Sequence, residues 1–253
     1  MAINFKGWKD LMPKRTMAEK VLGQALKYLG KDTDKNAKYV LKAVDHIASG
    51  EKQEMVREWF HHWMRENGPG RQFLHRVVQN THPRVRERYV ARMVASMFFR
   101  DPDAPRRAEQ KFGLQPPPTM LISPTMRCNY RCEGCYAGSY ERKDDMDPEV
   151  FDRVLTEAEE MGINFITVLG GEPFIYPHLL EVIEKHPKSF YQVYTNASLI
   201  DERTAERLVE LGNVAPQISI NGPREFTDAV RGRGSFDNCV AAMDRLYEAG
   251  CPF

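Results

Sequence analysis

Three of the chain's five cysteines, Cys128, Cys132 and Cys135, fall within eight residues in a C-x3-C-x2-C arrangement. Three thiolates on one compact turn are ligands for a soft metal or an iron–sulfur cluster. A structural zinc site wants four ligands, and no fourth Cys or His lies nearby in the sequence. An iron–sulfur cube held by three thiolates keeps one iron open to a small molecule. A redox switch needs only two cysteines. The spacing favours iron–sulfur, with zinc and a redox switch as alternatives. An odd, tightly clustered set also argues against a disulfide framework and for an intracellular setting. Cys239 and Cys251 stand alone and are expected to pack in a core.

The elements around this loop alternate. MLISPT (120–125) reads as a short strand running straight into the cysteines. Asp147-Pro148-Glu149 supplies an N-cap, a Pro at the first helical position and an acid in the first turn, opening a helix that ends near Met161-Gly162. INFITVL (163–169) is an apolar strand followed by Gly170-Gly171-Glu172-Pro173. A helix near 178–186, strand FYQVYTN (190–196), a helix over 202–211, strand VAPQISI (214–220) and a helix over about 236–249 complete the pattern. Such βα units build a parallel sheet and place chemistry at the carboxyl ends of the strands. The cysteines, GGEP, Thr195-Asn196 and Ser219–Asn221 all fall there.

The first hundred residues read differently. Helices are expected over 35–49, 51–67, 71–80 and 82–100, with Gly68-Pro69-Gly70 as a stop and Pro83 just inside a helix start. His61 and His62, adjacent on a helix, do not face one another and are read as ordinary histidines. Five prolines in 101–118 predict a stiff extended connector rather than a helix. The expected organisation is therefore a helical domain over 1–100, a linker over 101–118 and an α/β core over 119–253. Charge divides in the same way. Residues 1–115 carry 23 Lys and Arg against 13 Asp and Glu, and residues 116–253 carry 13 against 22. A basic half suits an anionic partner or substrate, although the scattered charges also suit a solvated helical surface. Mean hydropathy is −0.54, no run approaches the roughly 18 apolar residues of a membrane span, and the N-terminus has no signal-peptide core. The composition, 42% apolar and 28% charged, excludes collagen-like and wholly disordered readings, and the expectation is a cytoplasmic protein.

PTMRCNYRCEGCYAG, with GGEP after the next strand, resembles the radical S-adenosylmethionine (radical SAM) superfamily. YTN at 194–196 and SINGPREFTDAVRG at 219–232 follow in that family's order and spacing. The resemblance covers about 119–253. It implies a partial (β/α)6 barrel, of which about four βα units are present, behind an all-α N-terminal domain. It also implies a [4Fe–4S] cluster on Cys128, Cys132 and Cys135, with S-adenosylmethionine (SAM) on the open iron. Reductive cleavage of SAM would give methionine and a 5′-deoxyadenosyl radical that takes hydrogen from a substrate, with electrons from a donor such as flavodoxin or ferredoxin.

The resemblance further implies that Gly170, Gly171, Glu172 and Pro173 meet the SAM methionine end, with the glycines allowing close backbone approach and Glu172 accepting from the ammonium. Ser219 and Asn221 match ribose-binding positions, Arg231 matches a carboxylate-binding arginine, and Asn196 is a further candidate. No catalytic side chain of the chain's own is assigned. The chain departs from the family pattern at Gly134, where an aromatic often precedes the third cysteine, so stacking would fall to Tyr136 or Tyr130. It departs also at Asn221, often acidic, and at Ala197, often glycine. Gly250-Cys251-Pro252-Phe253 reads as the lead-in to a fifth strand, so a longer protein is expected. The competing class is a non-enzymatic iron–sulfur or zinc module for structure, sensing or electron transfer, which accounts for the cysteines but not for GGEP.

Overall fold

Strand and helix alternate in the structure as the sequence pattern predicts, and one parallel sheet results. The computed structural model describes residues 37–38, 41–42, 44–45, 54–83, 85, 88–89, 92–93, 103–140 and 145–253. The chain divides into two compact units, Met1–Pro102 and Asp103–Phe253.

In the first unit, helix α1 (Glu54–Trp63) and helix α2 (Pro69–Asn80) are joined by a tight turn. Gly68-Pro69-Gly70 both ends one helix and begins the next, so α2 starts earlier than its expected 71 and α1 ends before its expected 67. Pro69 lies in the first turn of α2, where a missing N–H costs nothing. A Cβ on Gly70 would lie 2.6 Å from the Trp63 ring, and that ring also meets Phe60 and Phe73 at 5.8 and 5.9 Å. Helical backbone at 37–38, 41–42, 44–45, 83, 85, 88–89 and 92–93 falls within the other two expected helices; His82 lies just before the second, and their remaining residues lie outside the described ones. His61 Nε2 sits 2.6 Å from Asp45 Oδ1, whereas His62 Nε2 faces Arg65 at 2.7 Å. The two rings have different partners, as adjacent helical positions require.

The second unit opens with a correction. Ala104–Phe112 is a helix, α3, inside the stretch expected to be an extended linker. Pro105 falls in its first turn, and no proline follows until Pro116. Proline content was therefore a poor guide to the interval between them. Gly113, at φ 70°, closes the helix with its N–H on Glu109 O. Lys111 Nζ reaches Glu160 Oε2 at 2.6 Å, and Gly162 (φ 78°) lies so near Ala104 that a Cβ there would stand 2.6 Å from the alanine methyl.

Strands β1 (Met120–Ile122), β2 (Phe165–Val168), β3 (Phe190–Thr195) and β4 (Val214–Ile218) form a parallel sheet in sequential order. Helices α4 (Pro148–Glu160), α5 (Leu179–Lys185) and α6 (Glu202–Leu211) make the crossovers, and α7 (Arg224–Arg231) and α8 (Ser235–Ala249) follow β4. Helix α7 was not anticipated, although Glu225 in its first turn and Gly232 at its end are ordinary start and stop signals. Alternation decides the faces. Ile122, Ile166, Val168, Tyr191, Val193 and Val214 enter one core with Phe151 and Leu155 of α4, Val182 and Ile183 of α5, Leu208 of α6 and Leu246 of α8. Each such side chain contributes about 1.5–3 kcal/mol by leaving water. Leu121, Thr167, Gln192, Tyr194 and Gln217 alternate with these and take the opposite face.

Two local features hold the strands in register. Asp147 accepts from Glu149 N at 2.8 Å and Val150 N at 3.3 Å, and Asp201 accepts from Thr204 N at 2.7 Å. The helices thus begin where the strand ends need them. Asn213 O accepts from Tyr191 N, and Ser219 N donates to Thr195 O, both at 2.9 Å. Odd-numbered residues of β4 therefore bond to β3, and the N–H that Pro216 lacks would have pointed away from it.

At the amino ends of the strands a buried charge cluster ties α4 to the α5–β3 turn. His186, 5% exposed, has Nε2 3.3 Å from Asp152 Oδ1 and Nδ1 3.8 Å from Glu159 Oε2. Ser189 Oγ donates to Glu159 Oε1 at 2.7 Å. The hydrogen bond to Glu159 raises the His186 pKa, against the opposing effect of burial. Burial alone would raise Glu159, but its bonds with His186 and Ser189 prevail and hold it below its ordinary value. The stabilisation from a raised histidine is complete below about pH 6.5 and is lost as pH climbs through the folded value; that from a depressed glutamate is lost below about pH 4.5. Melting temperature should therefore fall as pH rises above about 6.5, and His186→Gln should flatten that fall. An equally steep alkaline decline in the variant would remove His186 as its source.

Candidate active site

The residues after β1 leave the strand but stay bonded, main chain to main chain, to the residues after β2. Leu169 N donates to Ile122 O at 2.8 Å, Gly171 N to Thr125 O at 3.0 Å and Glu172 N to Arg127 O at 2.8 Å. The β1–β2 ladder thus continues beyond both strands, seating the start of the cysteine loop on the Gly-Gly-Glu segment. Glycine is required there. A Cβ on Gly170 (φ 127°) would stand 2.2 Å from Thr125 O, and one on Gly171 would stand 2.1 Å from Arg127 O. The glycines thus admit the backbone of the cysteine loop as well as lining the cavity.

The neck of the loop is closed by side chains. Thr125 pairs with Asp145 in an isolated antiparallel bridge. Asp145 accepts from Thr125 Oγ1 at 2.6 Å and from Arg127 Nε and Nη2 at 2.8 and 2.5 Å. The hydrogen bond from Arg127 holds the Asp145 carboxyl below the ordinary carboxylate range. Farther round, Glu133 N donates to Val230 O at 2.8 Å, and Asn238 Nδ2 donates to Tyr130 Oη at 2.8 Å. Helices α7 and α8 are therefore the loop's outer support.

Cys128, Cys132 and Cys135 all face one open cavity of about 380 Å3, shared with Gly170, Gly171, Tyr194, Asn196, Ser219, Asn221 and Arg231. Burial raises the Cys132 pKa, Arg231 works against it, and the neighbouring Cys128 and Cys135 add to it. Arg231 Nε donates to Asn221 Oδ1 at 2.5 Å. Tyr136 has its hydroxyl on both the N–H and the C=O of Gly170 at 3.2 Å. Its ring is 61% exposed at the cavity edge.

Glu172 and Pro173 are not in the cavity wall. Glu172 is 0% exposed. Its Oε1 accepts from Thr195 Oγ1 at 2.8 Å and Phe174 N at 3.1 Å, and its Oε2 accepts from Asn196 N at 2.7 Å. Burial raises its pKa while these three donors oppose the rise. The carboxylate expected to meet a ligand ammonium is instead directed beneath the cavity, at the end of β3. Pro173 opens the 3-10 turn that carries the chain away. Cys239 and Cys251 are buried, Cys239 against Ser219 O at 3.6 Å, and burial pushes the Cys251 thiol up to about 12.

A family profile described as "Radical SAM superfamily" matches residues 122–253, just over half of the chain. The chain belongs to the radical SAM superfamily. It is similar to the mycofactocin maturase MftC of Mycobacterium tuberculosis, 32% identical over 151 residues, which are 58% of this chain and 39% of that protein. It is similar also to the Fe-coproporphyrin III synthase of Methanosarcina barkeri, 29% identical over 147 residues, 55% of this chain and 36% of that one. The chain thus spans well under half the length of these relatives. The fold is like that of Streptococcus suis SuiB bound to S-adenosylmethionine, with a TM-score of 0.50 and 21% identity over 78% of this chain and 44% of that one.

Radical SAM proteins use a [4Fe–4S] cluster and SAM, and the residues present fit both. Among the described residues no three His, Cys, Asp or Glu side chains converge on a single ion. A cube asks for something different, since each thiolate takes its own iron corner. The cavity lies in the range of small-molecule sites and has a guanidinium at its wall. Two departures from the family pattern now have reasons. Gly134 has φ 67° and Ala197 φ 68°, so both positions demand left-handed backbone. An aromatic at 134 would be strained, whereas Ala197 meets a strain of about 1–2 kcal/mol that glycine would avoid. No described helix is long and apolar enough to cross a membrane.

Gly171→Ala should drive its methyl into Arg127 O and unseat the loop. Overpacking of this kind costs about 1–3 kcal/mol, so the urea midpoint should fall and reconstituted iron should drop with it. A variant as stable and as iron-rich as the parent would show that the ladder is dispensable.

Proposed function

We propose that this chain is the cluster- and SAM-binding part of a radical SAM enzyme, with Cys128, Cys132 and Cys135 as the cluster ligands. One observation carries the reading: the three thiols share a single cavity with the Gly170-Gly171 segment and with polar side chains from the ends of β3 and β4. With one electron delivered, the bound pair supplies reductive cleavage of SAM to methionine and a 5′-deoxyadenosyl radical able to take hydrogen from a substrate. The chain's own residues bind and orient. Gly170 and Gly171 line the cavity floor beside the cysteines for the methionine end of SAM. Arg231, already fixed by Asn221, offers a planar fork to its carboxylate. Ser219 and Asn221 accept or donate to the ribose hydroxyls, and Tyr136 forms the rim beside the third cysteine.

The substrate is assigned to the face of the sheet opposite the helix-packed core, where Leu121, Thr167, Gln192, Tyr194 and Gln217 alternate and Tyr194 reaches the cavity. The relatives are named for different products, a maturase and a synthase, so likeness alone selects no substrate. The positive excess of residues 1–115 supports an anionic substrate or partner. A cluster of free thiols belongs in a reducing compartment, which supports a cytoplasmic setting and an electron donor of the flavodoxin or ferredoxin kind.

The test is anaerobic. The chain reconstituted with iron and sulfide, reduced and given SAM, should form 5′-deoxyadenosine, and Cys132→Ala should form none and hold little iron. Zinc without acid-labile sulfide in the purified protein would favour the non-enzymatic module instead.

A further inference from the structure

Asn196 stands where β3 meets the cysteine loop, and its amide has only one possible orientation. Ser198 N, which can only donate, lies 3.0 Å from Asn196 Oδ1, and Ser198 Oγ lies 2.6 Å from the same atom. The oxygen therefore faces Ser198, and the NH2 group faces the loop. Nδ2 is 2.8 Å from Asn129 Oδ1 and 3.8 Å from Cys128 Sγ. Asn129 Nδ2 returns to Ser198 Oγ at 2.8 Å and closes the ring of contacts. From below, the buried Glu172 carboxylate holds both the Asn196 N–H and the Thr195 hydroxyl. Cys128 Sγ also accepts from Tyr130 N at 3.4 Å.

We propose that Asn196 is a positioning residue for the cluster: its side-chain amide donates to the Cys128 sulfur, and Glu172 acts through Asn196 rather than on SAM. This rests on the cluster assignment to Cys128, Cys132 and Cys135 and adds what that assignment does not contain. An N–H···S bond draws electron density from a ligating thiolate and so favours the cluster's more negative, reduced state. Removing the donor makes reduction harder. Glu172 sets the amide's position because its two oxygens take N–H donors from Phe174 and Asn196. A glutamine there would turn its own NH2 against one of them.

The test is a dithionite titration of the reconstituted full chain, with the reduced cluster read by EPR at each potential. Asn196→Leu, which removes the donor without adding charge, should weaken the reduction equilibrium about tenfold, a fall of about 59 mV for a one-electron couple. Glu172→Gln should shift it the same way by less. The double variant should match Asn196→Leu alone, since the two act along one route. Iron and sulfide are counted in every sample. If Asn196→Leu fails to retain a cluster, Ser198→Ala decides, because it keeps the Asn196 donor and only frees its orientation; a smaller fall is expected. An unchanged midpoint in the deciding variant, with full cluster content, overturns the proposal, and so does a double variant whose shift is the sum of the two. Failure of the parent chain to assemble any cluster would instead overturn the ligand assignment, so the two failures are distinguishable.

Discussion

The β1–β2 ladder does not stop where the strands stop, and the site depends on that. Two hydrogen bonds beyond the regular pairing, from Gly171 N and Glu172 N to Thr125 O and Arg127 O, dock the first turn of the cysteine loop. Main-chain contact at that distance tolerates no Cβ on either Gly170 or Gly171. The two motifs that looked independent in the sequence, C-x3-C-x2-C and GGEP, are therefore halves of one backbone interaction. A loop so seated cannot drift from the sheet end without breaking bonds that are already partly shielded from water, each worth about 1 kcal/mol net and more if left unmade.

From that seat the electrostatics follow. A carboxylate beneath the cavity would be costly if unpaired, and Glu172 avoids the cost with donors from Thr195, Asn196 and Phe174. The same contacts join the GGEP turn to the end of β3. The groups that remain on the open side, Arg231, Glu133 and the three thiols, are half-buried or exposed. Rigid, satisfied polar groups thus lie under the cavity, and adaptable ones lie around it, an order suited to binding a charged ligand from solvent.

Much of this was legible beforehand because it is written in local chemistry. The strand cores, the Asp147 cap and the glycine stop at 250 act within a few residues of themselves. What was misread depended on context. The proline-free run after Pro105 becomes α3, since one proline in a first turn favours a helix rather than opposing it. Helix α7 lies inside SINGPREFTDAVRG, where the resemblance marks Ser219, Asn221 and Arg231 as ligand positions and says nothing of the helix between them. Asn196 lines the cavity, whereas Glu172, from the same neighbourhood, is turned beneath it. Which way a side chain points at a strand end depends on the left-handed turn at Ala197 and on Ser198 beyond it, and no periodicity reports that.

The supports of the cysteine loop are unevenly spread, and this bears on how the cavity is entered. Residues 125–128 are held by the ladder, by the Asp145 clasp and by Asn196, whereas Glu133 N on Val230 O is the backbone bond joining the middle of the loop to α7. Gly134 has nothing within 4 Å of where a Cβ would be, and Cys135 and Tyr136 are exposed. The first cysteine is thereby fixed against the sheet, and the third stands on the side open to solvent. A ligand approaching from outside meets this exposed rim before it reaches the glycines. The exposed rim is anchored where the Tyr136 hydroxyl meets Gly170, while the first cysteine's turn is tied to the core by the main-chain bonds, the Asp145 clasp and Asn196.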